Sequence, residues 1–372
     1  MTSPARHIEE LGRRLARRRA EAKLELDVLA QRAGVSRDAI ERFESGATPL
    51  AAGALSRIAG VLGIPAAGLL SAEAPEETAP TAPDVLLLGG TTSWLRARDV
   101  DRLARSFERA RAFAELGELL RRDTVSIEER TGPAKEVDPY REGYAAAREL
   151  RLSLGLPREP LVDLSRTIED RLGILVSRFR FDSPEIRAAA ARSGRVRLIA
   201  LNTQLQRVGS VRRALAHELG HHLLDLPTDG AVIDSAREAD GYTHEKPAAE
   251  RRADAFALMF LAPDAGVAAL LGPPQRTPDL DAARALAQEV RRTFGLGFDA
   301  SAYHLANLGY FADKGMAEAL REAPAITHEL DGFERHALPD GFERRLQAAE
   351  EASLLSAGRR RELLGRTWVD EA

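Results

Sequence analysis

The chain has 372 residues, 44% of them hydrophobic and 30% charged, with a formal net charge of −4, so it is long and apolar enough for more than one buried core. It has no cysteine, which excludes disulfides and thiolate metal ligands. Residues 1–20 are polar and arginine-rich and no apolar run approaches the length of a bilayer span, so no signal peptide, membrane helix or membrane partner is expected, and the composition points to the cytoplasm.

Residues 11–70 carry five short helical patterns. The second and third, residues 27–36 and 37–46, form a pair: Gly34 permits a tight turn, Val35 packs inward and Ser36 caps the following helix. Leu55, Ile58, Ala59 and Leu62 continue an apolar stripe in a fourth helix that stops at Gly63. Residues 1–72 hold 11 Lys and Arg against 8 Asp and Glu, a local charge of +3 that leaves −7 on the remainder. This segment resembles the helix-turn-helix of the phage-repressor (XRE-like) family. The resemblance implies that the helix beginning near Ser36 enters the major groove of double-stranded operator DNA, with Arg37, Asp38, Glu41 and Arg42 as base readers. Arg14 and Arg18, together with Arg13, Arg17 and Arg19, would then face phosphates. Two features depart from the family: Leu26 replaces its usual glutamine, and Asp38 and Glu41 oppose a phosphate surface. A bundle that docks protein is the alternative.

Residues 73–98 form a linker whose first part, 73–83, is acidic and proline-rich. The region 99–136 begins with a long helix over 99–123, with Val100, Leu103, Phe107, Ala110, Phe113 and Ala114 on one face. That stripe buries either against the rest of the chain or against a second copy, which would give a homodimer suited to paired half-sites. A loop then leads to a helix over 140–152. Residues 173–181 and 196–202 read as strands, with a turn at 192–195.

His217-Glu-Leu-Gly-His221 follows in a helix that the pattern starts after a Ser210 cap and ends before Pro227, with Val211, Ala214, Leu215, Leu219 and Leu223 on its buried face. Positions i and i+4 share a face, so both imidazoles reach one ion while Glu218 addresses the adjacent water as general base. His222 points about 100° away and is structural or at the rim. A second helical pattern stops before Pro263 and holds Glu250 and Asp254, again four apart. Glu250 completes a His-His-Glu zinc set, and Asp254 receives a hydrogen bond from the far nitrogen of His217. Manganese or another divalent ion suits the same shell. Tyr242 and His244, between the two helices, are candidate oxyanion stabilisers.

His217-Glu-Leu-Gly-His221 with Glu250-x-x-Ala-Asp-x-Phe-Ala and Leu261-Ala-Pro263 resembles the ImmA/IrrE family of bacterial metallopeptidases over roughly residues 140–322. Leu261-Ala262-Pro263 stands where relatives carry Leu-Met-Pro, a packing difference that touches no ligand. The resemblance implies a zincin-like fold, Glu250 as third ligand and, as in several relatives, one repressor protein as substrate. The expected fold class is multidomain: an all-α helix-turn-helix domain (1–72), then an α+β zincin-like metallopeptidase domain (137–270) with a helical C-terminal region. That region comprises a helical closure (271–325) and a helical tail (326–372), the tail a hairpin over 342–364 with Gly358 as its break. Asp331-Gly-Phe-Glu-Arg335 recurs as Asp340-Gly-Phe-Glu-Arg344, too short an echo to be a repeat architecture.

The expected function is a zinc endopeptidase that regulates transcription or a stress response by cleaving a repressor or antitoxin. Its own DNA-binding module would raise its concentration near a DNA-bound substrate. The alternative is a non-catalytic transcription factor that senses a ligand or metal with a peptidase-like domain.

Overall fold

Caps and one-sided apolar spacing set the N-terminal elements. The computed structural model describes residues 4–22, 24–62, 96–122, 124, 138–226, 229–235, 247–312, 315–321, 333 and 341–366. Four helices come first: α1 (Pro4–Glu21), α2 (Leu26–Ala33), α3 (Arg37–Glu44) and α4 (Ala52–Leu62). Gly34 closes α2 at φ 59°, the Val35 N–H returns to the Ala30 carbonyl at 3.1 Å, and Ser36 Oγ accepts the Ala39 N–H at 3.3 Å. Leu15, Leu29, Ile40 and Ile58 are fully buried between them and Val35 packs against that core. The expected fifth helix, residues 63–70, and the linker up to residue 95 lie outside the described residues.

The long helix α5 (Ala97–Leu119) has its apolar stripe covered from within the chain. Leu103, Phe107, Phe113 and Leu116 share one core with Phe179, Phe181, Ala189 and Ala200 of the sheet and its flanks. At its N-terminus Asp99 is fully buried and accepts the Asp182 N–H at 2.6 Å, the Ser183 N–H at 3.1 Å and the Ser183 hydroxyl at 2.7 Å. Of the two expected uses of the stripe, intramolecular packing is the one observed. Helices α2 and α4 also touch α5, which joins the N-terminal bundle to the rest.

Helices α6 (Pro139–Ser153) and α7 (Leu164–Leu172) precede the sheet, made of β1 (Leu175–Phe179), β2 (Ile186–Ser193), β3 (Val196–Asn202) and β4 (Asp229–Ser235). The strand order is β1-β3-β2-β4; β1 and β3 are parallel and the other pairs antiparallel. β1 and β3 match the expected strands and Gly194 turns between β2 and β3 at φ 53°. β2 was not foreseen: its run of four alanines has neither alternation nor β-branched residues. Its burial accounts for the composition: the helix of the histidine pair packs on one face, and on the other Ala189 and Ala191 join the core that α5 forms over β1 and β3.

That helix, α8 (Val208–Leu224), begins at an Arg207 cap rather than at Ser210. α9 (Ala248–Leu261) packs across it and α6 packs on α9. Then come α10 (Asp264–Leu271), α11 (Leu280–Phe294), α12 (Phe298–Asn307) and α13 (Gly315–Arg321). The tail forms α14 (Gly341–Glu351) and α15 (Ala357–Arg366); the break falls at residues 352–356, with Ser353 at φ 57°, and Gly358 lies inside α15. Phe342, Leu346 and Leu363 add the tail to the core around α5. Among the described residues no single helix is long and apolar enough to cross a membrane; only α9 and α10 taken together are, bent by 47°, and α9 is core.

Candidate metal centre

The histidine pair sits where α8 faces both β2 and α9, so its environment comes from three elements. Gly220, between the histidines, permits the contact: a Cβ there would stand 3.1 Å from the Ala253 Cα and 3.2 Å from the Phe256 ring. The close approach carries the first turn of α9 to the imidazoles. His217 Nε2 and His221 Nε2 lie 3.1 Å apart. Glu250 Oε2 is 3.2 Å from the first and Oε1 is 3.2 Å from the second. The structure thus brings His217, His221 and Glu250 together, with their ligand atoms within 4.8 Å of one another.

The far ring nitrogens are also occupied. His217 Nδ1 lies 3.1 Å from Asp254 Oδ1, which also accepts Arg213 Nη2 at 2.8 Å. His221 Nδ1 lies 2.9 Å from Asp225 Oδ2, while Arg252 Nε donates to Asp225 Oδ1 at 3.1 Å. Asp254 was expected in this role. Asp225 was missed, although it stands four residues after His221 on the same face.

If each imidazole donates Nδ1–H to its aspartate, both Nε2 atoms present lone pairs to each other and to the Glu250 carboxylate. Three acceptors then converge with no donor among them, an arrangement that a bound cation relieves. Electrostatics agree. Burial opposes charge on His217 and His221, but hydrogen bonds to Asp254, Glu250 and Asp225 outweigh it, raising His217 well above its ordinary value and His221 to about 9. Burial would raise Glu250, yet the two imidazoles hold its carboxyl far below the usual range. The donor set of two imidazoles and one carboxylate, each imidazole oriented by an aspartate, fits a zinc-type ion.

Glu218 is fully buried and neither carboxylate oxygen has a hydrogen-bond partner among the described residues. Burial pushes its carboxyl up to about 8, only partly offset by the neighbouring imidazoles. Asp234 of β4 also reaches the centre: its carboxylate, a Glu218 oxygen and a His217 nitrogen lie within 4.8 Å of one another. No signal for Asp234 was available, because β4 was not foreseen. His222 is buried rather than at the rim, with Nε2 3.0 Å from the Leu198 carbonyl, and burial lowers it to about 3. Tyr242 and His244 lie outside the described residues.

On the N-terminal bundle, Arg37, Asp38, Glu41 and Arg42 are all exposed on α3, and Arg14 and Arg18 are half-buried on α1. The arginines of α3 are paired with acids: Arg37 with Asp27 at 2.9 Å and Arg42 with Asp38 at 3.4 Å. Such exposed pairs are worth about 0–1 kcal/mol and yield readily to a phosphate or base. Arg19 is different, since its guanidinium forks onto Glu44 at 2.7 and 2.8 Å and ties α1 to α3, so its expected phosphate contact gives way to a structural one.

Residues 10–70 match the family model of a helix-turn-helix domain. Residues 169–306 match that of the IrrE N-terminal-like domain, a peptidase family, and the match spans the sheet, α8 and α9. No curated protein matches the chain.

Proposed function

We propose that this chain, which joins a helix-turn-helix domain to an IrrE N-terminal-like metallopeptidase domain, is a cytoplasmic regulator that hydrolyses a DNA-binding repressor or antitoxin with a zinc centre. The observation that carries the reading is the buried carboxylate of Glu218, without a partner among the described residues, beside three converging ligand atoms. A structural metal site has no use for such a group, whereas hydrolysis needs a base there.

In this reading His217, His221 and Glu250 hold the ion, and Asp254 and Asp225 fix the imidazole tautomers. A bound divalent ion supplies Lewis acidity toward a carbonyl and makes water more acidic. With a divalent ion on the neighbouring imidazoles, Glu218 would favour its ionised form, whose carboxylate would take the proton of the attacking water and deliver it to the leaving amide nitrogen. Arg213 pairs with Asp254 and Arg252 with Asp225, so both of those carboxylates are already engaged. Residues 137–270 hold this apparatus, and α3 of the bundle addresses operator DNA.

The second reading, a non-catalytic sensor, rests on the same ligand set and differs at Glu218. The parent is expected to hold about one zinc per chain, and His217→Ala and Glu250→Ala to lose it, measured by mass spectrometry of purified protein. Glu218→Gln should keep the metal and abolish cleavage of the repressor. A regulatory phenotype that survives Glu218→Gln would establish the sensor instead.

A further inference from the structure

The last strand of the sheet brings the centre a carboxylate that the ligand set does not use. Within β4, Ala231 and Ile233 point into the core shared with α5, so Asp234 points to the opposite face, toward α8. The β2–β4 register skips Arg187 as β4 passes from Asp234 to Ser235, a bulge that re-aims the strand at this position. Asp234 is 8% exposed, and among the described residues it makes no hydrogen bond or ion pair. Among the described residues β4 is the edge strand of the sheet.

The charges around it do not balance. Asp225 is matched by Arg252 and Asp254 by Arg213, while Glu250 belongs to the ion. Glu218, whose carboxylate oxygens have no partner among the described residues, and Asp234, which lies beside it and His217, remain, both buried. A divalent ion over Glu250 brings one net positive charge, which answers one of these two carboxylates and leaves the other. Glu218 is committed to the proton of the attacking water. Asp234 is the carboxylate left to face the substrate, and a buried unpaired carboxylate favours a cationic partner over any neutral one.

The geometry points to Asp234 as a specificity residue that binds a cationic group of the substrate, an ammonium or guanidinium next to the scissile bond. This rests on the peptidase reading above. Two sources share the chemistry: a lysine or arginine side chain flanking the bond, or the free amino terminus of a polypeptide.

The test uses the zinc-loaded full-length chain and small hydroxamates, which anchor on the metal and require no turnover. Nα-acetyl-lysine hydroxamate is compared with Nα-acetyl-norleucine hydroxamate, and leucine hydroxamate with its Nα-acetyl form, by calorimetric titration. The parent should bind at least one cationic probe about 10- to 100-fold more tightly than its neutral counterpart. A preference in the lysine pair assigns a side chain, and one in the leucine pair assigns the amino terminus. In Asp234→Asn, with zinc content and melting temperature checked, the paired affinities should converge. Equal binding within both pairs in the parent overturns the proposal with no variant needed, and so does a preference that persists in a folded, zinc-loaded Asp234→Asn. Absence of hydroxamate binding altogether by the zinc-loaded parent also overturns the proposal. Failure of the peptidase reading alone looks different: the charge preference is present and lost in Asp234→Asn, while the parent cuts no polypeptide.

Discussion

Removing the carboxylate of Asp254 perturbs the metal centre without touching a ligand. Asp254 is 2% exposed, and its Oδ1 lies 3.1 Å from His217 Nδ1 and 2.8 Å from Arg213 Nη2. Asp254→Ala leaves the His217 Nδ1–H buried with nothing to receive it, a cost of about 1–3 kcal/mol. The ring escapes that cost by moving its proton to Nε2, the atom that must face the ion, so the loss falls on metal affinity. Partners of ligating histidines are worth roughly 10- to 100-fold in affinity, or about 1.4–2.7 kcal/mol. Asp254→Asn keeps an oxygen in place and removes only the charge; because charge-assisted hydrogen bonds are about twice as strong as neutral ones, its loss should be roughly half as large in free energy. Competition for zinc against a chromophoric chelator reads all three proteins on one scale, and thermal melting shows that each remains folded. Asp225→Ala, acting on His221, should fall in the same range. Zinc affinity in folded Asp254→Ala equal to that of the parent would refute the reasoning.

Three other perturbations follow from the packing. His304 is buried between Tyr144 Oη at 2.7 Å and the Ala262 carbonyl at 2.7 Å, and burial lowers it from 6.5 to about 4. The unfolded chain therefore takes up a proton first as pH falls: the stability present above pH 6.5 is lost between 6.5 and 4 at about 1.4 kcal/mol per pH unit, and urea unfolding of His304→Gln should lack that component. Gly143 lies where α6 crosses α9, and a Cβ there would stand 2.3 Å from the Arg252 carbonyl oxygen and 2.8 Å from the Phe256 nitrogen. Gly143→Ala should cost about 1–3 kcal/mol in thermal melts and weaken zinc binding by displacing Glu250; parent-like melting would contradict the close crossing. Arg345, 2% exposed, donates to the carbonyls of Phe113 and Glu169 at 2.9 Å each and lies 3.4 Å over the Phe113 ring, so Arg345→Ala should lower stability by about 2–3 kcal/mol in urea.

Features that local spacing encodes were legible before any fold was known. Two histidines four apart on one helix, and Glu250 and Asp254 four apart on another, needed only the helical repeat to be assigned to shared faces, and the turn at Gly34 with its Ser36 cap is equally local. Strands β1 and β3 were legible because they are rich in aliphatic residues and bounded by turns. What required the tertiary structure was whatever depends on contacts between segments far apart in the chain. β2 is a strand because it pairs with β3 and β4 and is buried, with α8 packed on one face, and four alanines carry no periodic signal of that. The stripe of α5 was visible, but its destination was not, since an apolar face looks the same whether a sheet or a second copy covers it. Asp234 joins the centre only because β4 returns antiparallel along β2, and Arg252 matters only because α9 brings it to Asp225. Local spacing fixed which residues face the same way. Only packing decided what they face, because the energy of a buried charge or an apolar face belongs to the pair of surfaces that meet.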